Sequence, residues 1–195
     1  MLCVALRLAG PTEFVFSFEH LLAGVPRAWF EVAVQQLGGR GVHLSAGSDF
    51  WELEARDGVV MDGTAPEHVR DAAAVMSTYC DALAIRPKPA GKAWEVDRRD
   101  EGIRAWASNS QVPVINMESA LWHPLQVLAD LLTLRETFGK DIKGRRLAIV
   151  WTPSPTPAGP AVVHSLLHAA LRAGANVSLA HPAGYELDGG VLSEA

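Results

Sequence analysis

At 195 residues, 49% apolar and 20% charged, the chain is long enough to bury a core in one domain or in two small ones. Its 17 basic and 22 acidic residues leave a net charge of −5, and no basic block or aromatic-interleaved patch marks a nucleic-acid partner. Cys3 and Cys80 provide neither a disulfide framework nor metal-ligand spacing, which suits a cytoplasmic setting; Met1 to Gly10 lacks a signal-peptide pattern, and no segment reaches membrane-spanning length.

Apolar strand-like runs alternate with helical patterns along the chain. Glu13 to Phe18 reads as a strand, Trp29 to Leu37 as a helix stopped by Gly38-Gly39, and Gly41 to Leu44 as the next strand. Pro66 to Tyr79 reads as a helix whose start lies at Thr64, followed by the buried strand Ala82 to Ile85. Glu101 to Asn109 is helical, Val112 to Asn116 a strand, and Val127 to Phe138 a helix ended by Gly139. Lys140 to Arg146 is then a charged connection, Leu147 to Trp151 a strand, and Thr152 to Pro160 a Pro-rich loop. Ala161 to Arg172 is a helix capped by Gly174, with Val177 to Ala180 as a closing strand. The alternation predicts an α/β fold, a mostly parallel sheet flanked by helices. A boundary is expected near Gly139 to Lys143, giving a domain over 1–139 and an incomplete second α/β domain over 140–195.

The segment Asn116 to Leu134 carries the most chemistry. His123 and Gln126 stand one turn apart at the start of an apolar helix, and Pro124 suits the first helical position because its missing N–H would be unpaired there. Free N–H groups and the positive dipole end favour an anion or an electron-rich oxygen at that point. On the residues alone each side chain also has a plainer reading. His123 could be satisfied by backbone, Gln126 and Glu118 could cap the helix, and Arg86 could be an ordinary strand-end arginine. Trp51, Trp94 and Trp106 could be core or interface aromatics. His164 and His168 are four apart on a helix, but no Glu follows His164 and no third ligand stands out, so neither a metal nor a cofactor is expected.

The His123-Pro124-Leu125-Gln126 element resembles the carbamoyl-phosphate motif of the aspartate/ornithine carbamoyltransferase family. Three further stretches are similar to the branch that acts on N-acylated ornithine: Trp51 to Glu54 with Gly58 to Gly63, Tyr79 to Arg86, and His181 to Asp188. The resemblance runs from about Phe30 to Val191. It implies transfer of a carbamoyl group from carbamoyl phosphate to the amine of N-succinyl- or N-acetyl-L-ornithine in arginine biosynthesis. It further implies a domain over 1–139 that binds carbamoyl phosphate. His123 would donate to the carbamoyl oxygen, Gln126 would hold the carbamoyl amide, and Arg86 and Arg27 would neutralise the phosphate. Trp51, Glu118 and Pro66 would face the acceptor, with Trp51 reaching a neighbouring subunit in a homotrimer and Pro66 favouring the succinyl compound.

Two departures set the alternative. Family members carry a Ser-x-Arg-Thr-Arg loop that cradles the phosphate, and here Ala23-Gly24-Val25-Pro26-Arg27 aligns with it, so only Arg27 matches. Charge-assisted bonds worth about 1.5–3 kcal/mol each are lost with the others. The chain is also expected to stop before the family's closing His-Cys-Leu-Pro loop. These departures point to a catalytically degenerate or truncated relative, a small-molecule-binding or assembly protein.

Overall fold

The computed structural model describes residues 2–5, 30, 32–87, 89, 91, 93–139, 141–151 and 159–195. The expected strand over 13–18, the Ala23 to Arg27 segment and most of the Pro-rich loop lie outside the described residues. Contacts divide the chain into two units, Met1–Ser119 and Ala120–Ala195.

The first unit is built on a four-stranded sheet of order β2-β1-β5-β6, with β1 at Leu2–Ala5, β2 at His43–Ser45, β5 at Leu83–Arg86 and β6 at Val114–Asn116. β5 and β6 run parallel, with Leu83 opposite Val114 and Ile85 opposite Asn116. β1 runs antiparallel to both its neighbours; four residues are too few to show periodicity, and the sequence reading has no strand there. A second small sheet pairs β3, Leu53–Glu54, in parallel with β4, Glu67–His68. The α/β expectation holds, with parallel strands flanked by helices and β1 as the antiparallel exception.

The helix expected over 66–79 is shorter. β4 takes Glu67 and His68, and α1 spans Val69–Met76 with His68, not Thr64, as its cap: the His68 ring accepts from the Arg70 N–H. Strand pairing at Glu67 and His68 requires extended backbone, which delays the first turn. A short α2, Trp94–Asp97, precedes α3, Glu101–Asn109, which begins and ends as the sequence predicts. Val69, Ala73, Leu83, Ile85 and Trp106 are fully buried and form one core with the flanking helices. β5 explains itself: a continuous apolar run is what a strand covered on both faces requires.

In the second unit α4 spans Pro124–Phe138, with Pro124 in the first turn as expected. Gly139 closes it at φ +96°, a conformation open to glycine. α4 packs Leu131 and Leu134 against Ile142, Ala170 and Ala175. The packing therefore divides at Ser119, ahead of the connection at Gly139 to Lys143 where the sequence places the boundary. β7, Arg146–Val150, and β8, Asn176–Ala180, form a parallel pair, crossed over by α5, Ala161–Arg172. Leu147, Ile149, Val177 and Leu179 alternate inward, meeting Leu167 and Leu187. A short α6, Gly189–Glu194, follows.

Candidate functional site

Ligands of open parallel sheets sit beyond the carboxyl ends of the strands, and Arg86 is the last residue of β5. The Met117 N–H donates to the Ile85 carbonyl at 2.9 Å, extending the β5–β6 ladder past Asn116. That extension sets Glu118 beside Arg86, and the guanidinium Nη2 donates to Glu118 Oε2. Each side chain is 29% exposed, so the pair is partly withdrawn from water yet reachable. The turn behind it is tied down. The Asn116 amide donates to Ser119 Oγ at 2.9 Å, and the Ser119 hydroxyl donates to buried Asp100 at 2.7 Å. Asp100 itself is left-handed at φ 52°, a position Asp tolerates better than most residues. Sequence reasoning missed Asp100 and Ser119, which share no motif and meet only through the fold.

Glu118 therefore does not cap α4, which starts at Pro124; it serves as the counter-charge of Arg86. Trp51 and Pro66 belong to the same unit. The Trp51 indole donates to Glu67 at 2.8 Å, across the β3–β4 pair in which Leu53 lies opposite Glu67. Trp51 stays 54% exposed, and Pro66 is exposed immediately before β4.

In the second unit His123 is the N-cap of α4. Its Nδ1 accepts from the Gln126 N–H at 3.3 Å, so the neutral ring carries its proton on Nε2, as a donor. The ring thus sits at the positive dipole end of α4. Gln126 meets His123 through its backbone only; its side-chain amide donates to Asp130 at 2.9 Å, one turn along. The two residues, one turn apart in sequence, thus meet only through the Gln126 backbone, because Asp130 competes for the amide. Arg27 lies outside the described residues.

His164 is fully buried. It contacts the Leu121 carbonyl at 3.2 Å through Nδ1 and accepts the Asp188 N–H at 3.1 Å through Nε2. Burial pushes its imidazole below the ordinary value. Its spacing from His168 therefore serves packing: both rings meet the Trp122 ring edge-on, with centroids 6.3 and 5.5 Å away. Among the described residues no cluster of three or more His, Cys, Asp or Glu could hold a metal, and no helix is long and apolar enough to cross a membrane. Elsewhere, Arg56 holds the Glu54 carboxyl down to a pKa of about 2 through a side-chain hydrogen bond.

Residues 27–136 match the family described as "Aspartate/ornithine carbamoyltransferase, carbamoyl-P binding domain". The N-acetylornithine carbamoyltransferase of Xanthomonas axonopodis pv. citri (strain 306) is 42% identical over 157 residues, 80% of this chain and 46% of that protein. The N-succinylornithine carbamoyltransferase of Bacteroides fragilis (strain 638R) is 35% identical over 156 residues, 80% and 48% of the two chains. A solved variant of N-acetyl-L-ornithine transcarbamylase complexed with carbamyl phosphate and N-succinyl-L-norvaline superposes with a TM-score of 0.85 at 39% identity. That alignment covers 92% of this chain and 54% of the solved one. The chain spans about half the length of the curated relatives it matches.

Proposed function

The chain belongs to the aspartate/ornithine carbamoyltransferase family, and from that premise we propose that it acts in carbamoyl transfer to an N-acylated ornithine, in arginine biosynthesis in the cytoplasm. Residues 1–139 serve as the carbamoyl-phosphate-binding domain and 140–195 as the start of the amino-acid-binding domain, with α4 as the connecting helix. The observation that carries the reading is the His123 cap: Nδ1 accepts the Gln126 N–H, which sets the neutral tautomer with its proton on Nε2, the donor side of the ring, at a helix start.

The chemistry needs no covalent enzyme intermediate and no cofactor. Arg86 neutralises the phosphate of carbamoyl phosphate together with Arg27, and His123 donates to the carbamoyl oxygen. Gln126, turned from Asp130, holds the carbamoyl amide. The acceptor's amine attacks the carbonyl carbon, the oxyanion collapses as the C–O bond to phosphate breaks, and the leaving phosphate takes up the proton the amine gives up. Trp51, Glu118 and Pro66 serve the acceptor, with Trp51 contributed across a homotrimer and Pro66 favouring the succinyl compound over the acetyl one.

A second reading is a catalytically degenerate relative that retains small-molecule binding or an assembly role. It is favoured by Ala23 to Arg27, where only Arg27 matches the phosphate loop. One experiment separates the two. Carbamoyl phosphate at millimolar concentration raises the melting temperature under both readings, but only the enzyme releases phosphate when N-succinyl- or N-acetylornithine is added. Absence of both effects overturns carbamoyl-phosphate recognition altogether.

A further inference from the structure

We infer that α5 positions the His123 turn, with Ser165 and His164 as positioning residues; this rests on the reading of His123 as the donor to the carbamoyl oxygen. The two residues are adjacent on α5, and each holds a different point of the segment entering α4. The Ser165 hydroxyl oxygen accepts the His123 N–H at 2.8 Å. His164 Nδ1 lies 3.2 Å from the Leu121 carbonyl. A carbonyl only accepts and the Asp188 N–H only donates, so Nδ1 must bear the proton and Nε2 must be the acceptor. One tautomer satisfies both ends, and no other does.

The consequence is mechanical. Leu121 and His123 are pinned two residues apart, and Trp122 between them lies against the rings of His164 and His168. Ser165 is 4% exposed and His164 is fully buried, so water does not readily replace either bond. His123 sits at φ −127°, ψ 73°, away from the usual extended cap conformation. A hydroxyl at its N–H and a ring at Leu121 supply external restraints on that backbone. The aim of the His123 ring is therefore set by α5 as well as by its own cap bond to Gln126. The His164 link to Asp188 extends the restraint further, since Asp188 caps α6 through the Gly190 and Val191 N–H groups.

The test uses the full chain labelled with 15N, and the His123 ring resonances are assigned with the His123→Asn variant. In the wild type the His123 ring shows a single Nε2–H tautomer. Ser165→Ala deletes one oxygen, and in a folded protein it shifts the His123 ring nitrogens toward a mixture of tautomers. It also weakens carbamoyl-phosphate binding by calorimetry about tenfold. His164→Gln moves both readouts the same way; if that variant unfolds the second unit, Ser165→Ala alone decides. Unchanged His123 ring signals in folded Ser165→Ala overturn the inference. If the wild type binds no carbamoyl phosphate, the functional reading fails, and the ring signals still judge the positioning.

Discussion

The Arg86 guanidinium binds the Glu118 carboxylate at the carboxyl ends of two adjacent parallel strands. A cation committed to a carboxylate must be shared with, or surrendered to, an incoming anion. Glu118→Gln keeps the shape and removes the competing charge, so inorganic phosphate should bind a few fold more tightly at low salt. Arg86→Ala should weaken it about 10- to 100-fold, the worth of a charge-assisted bond. Isothermal titration of both variants checks the pair. Equal phosphate affinity in wild type and Arg86→Ala would remove Arg86 from the site.

His123 has two separable jobs, cap and donor. His123→Ala loses both, lowering stability by about 1 kcal/mol and weakening carbamoyl-phosphate binding about tenfold or more. His123→Asn restores a good cap acceptor on a shorter side chain. Its melting temperature should return close to wild type while ligand binding stays weak. Thermal melts with and without carbamoyl phosphate distinguish the two effects, and recovery of binding in His123→Asn would assign His123 to the cap alone.

His164 predicts an acid-sensitive second unit. Burial depresses its folded pKa below the ordinary 6.5, so the unfolded chain takes up a proton before the folded one does. Its contribution is complete above about pH 6.5 and is lost as pH falls through 6.5 toward the folded value, at up to about 1.4 kcal/mol per pH unit. Urea unfolding between pH 7.5 and 5 should show that slope in the wild type and a flatter one in His164→Gln.

Trp106 is fully buried in the core of the first unit, against Leu83 and Ile85. Trp106→Ala should cost about 3–5 kcal/mol, the usual penalty for emptying an aromatic site. The change is read as a lower urea midpoint with an unchanged slope. A loss under 1 kcal/mol would show that the site collapses readily.

Gly174 turns the chain after α5 at φ +80°, and an added Cβ would lie 2.9 Å from Lys143 Cγ. Gly174→Ala should therefore destabilise the second unit by about 1–2 kcal/mol. A neutral or stabilising result by thermal melting would show that the Lys143 side chain and the local backbone relax together.

Much of this was legible in the chain itself, because local physics suffices wherever one segment settles its own state. The unbroken apolar run before Arg86 makes β5, the pattern over 101–109 makes α3, and Pro124 marks the first turn of α4, though the cap proves to be His123 and not Gln126 or Glu118. The family resemblance likewise lives in short ordered motifs, and the matching residues 27–136 bear it out. What tertiary structure decided depends on partners distant in sequence. β4 claims Glu67 and His68 and so moves the start of α1 from Thr64 to Val69, since strand pairing with Leu53 and Glu54 outweighs a local cap. α4 packs with Ile142 and Ala170, so contacts divide ahead of the Gly139 connection. Glu118 reads in sequence as a cap or an acceptor residue; only the ladder past Asn116 brings it to Arg86. His164 reads in sequence only as a helix histidine four residues from His168, with no metal expected, and only burial against Leu121 and Asp188 makes it a clamp. In each case the side chain's chemistry is local, and the group that completes it arrives from elsewhere in the fold.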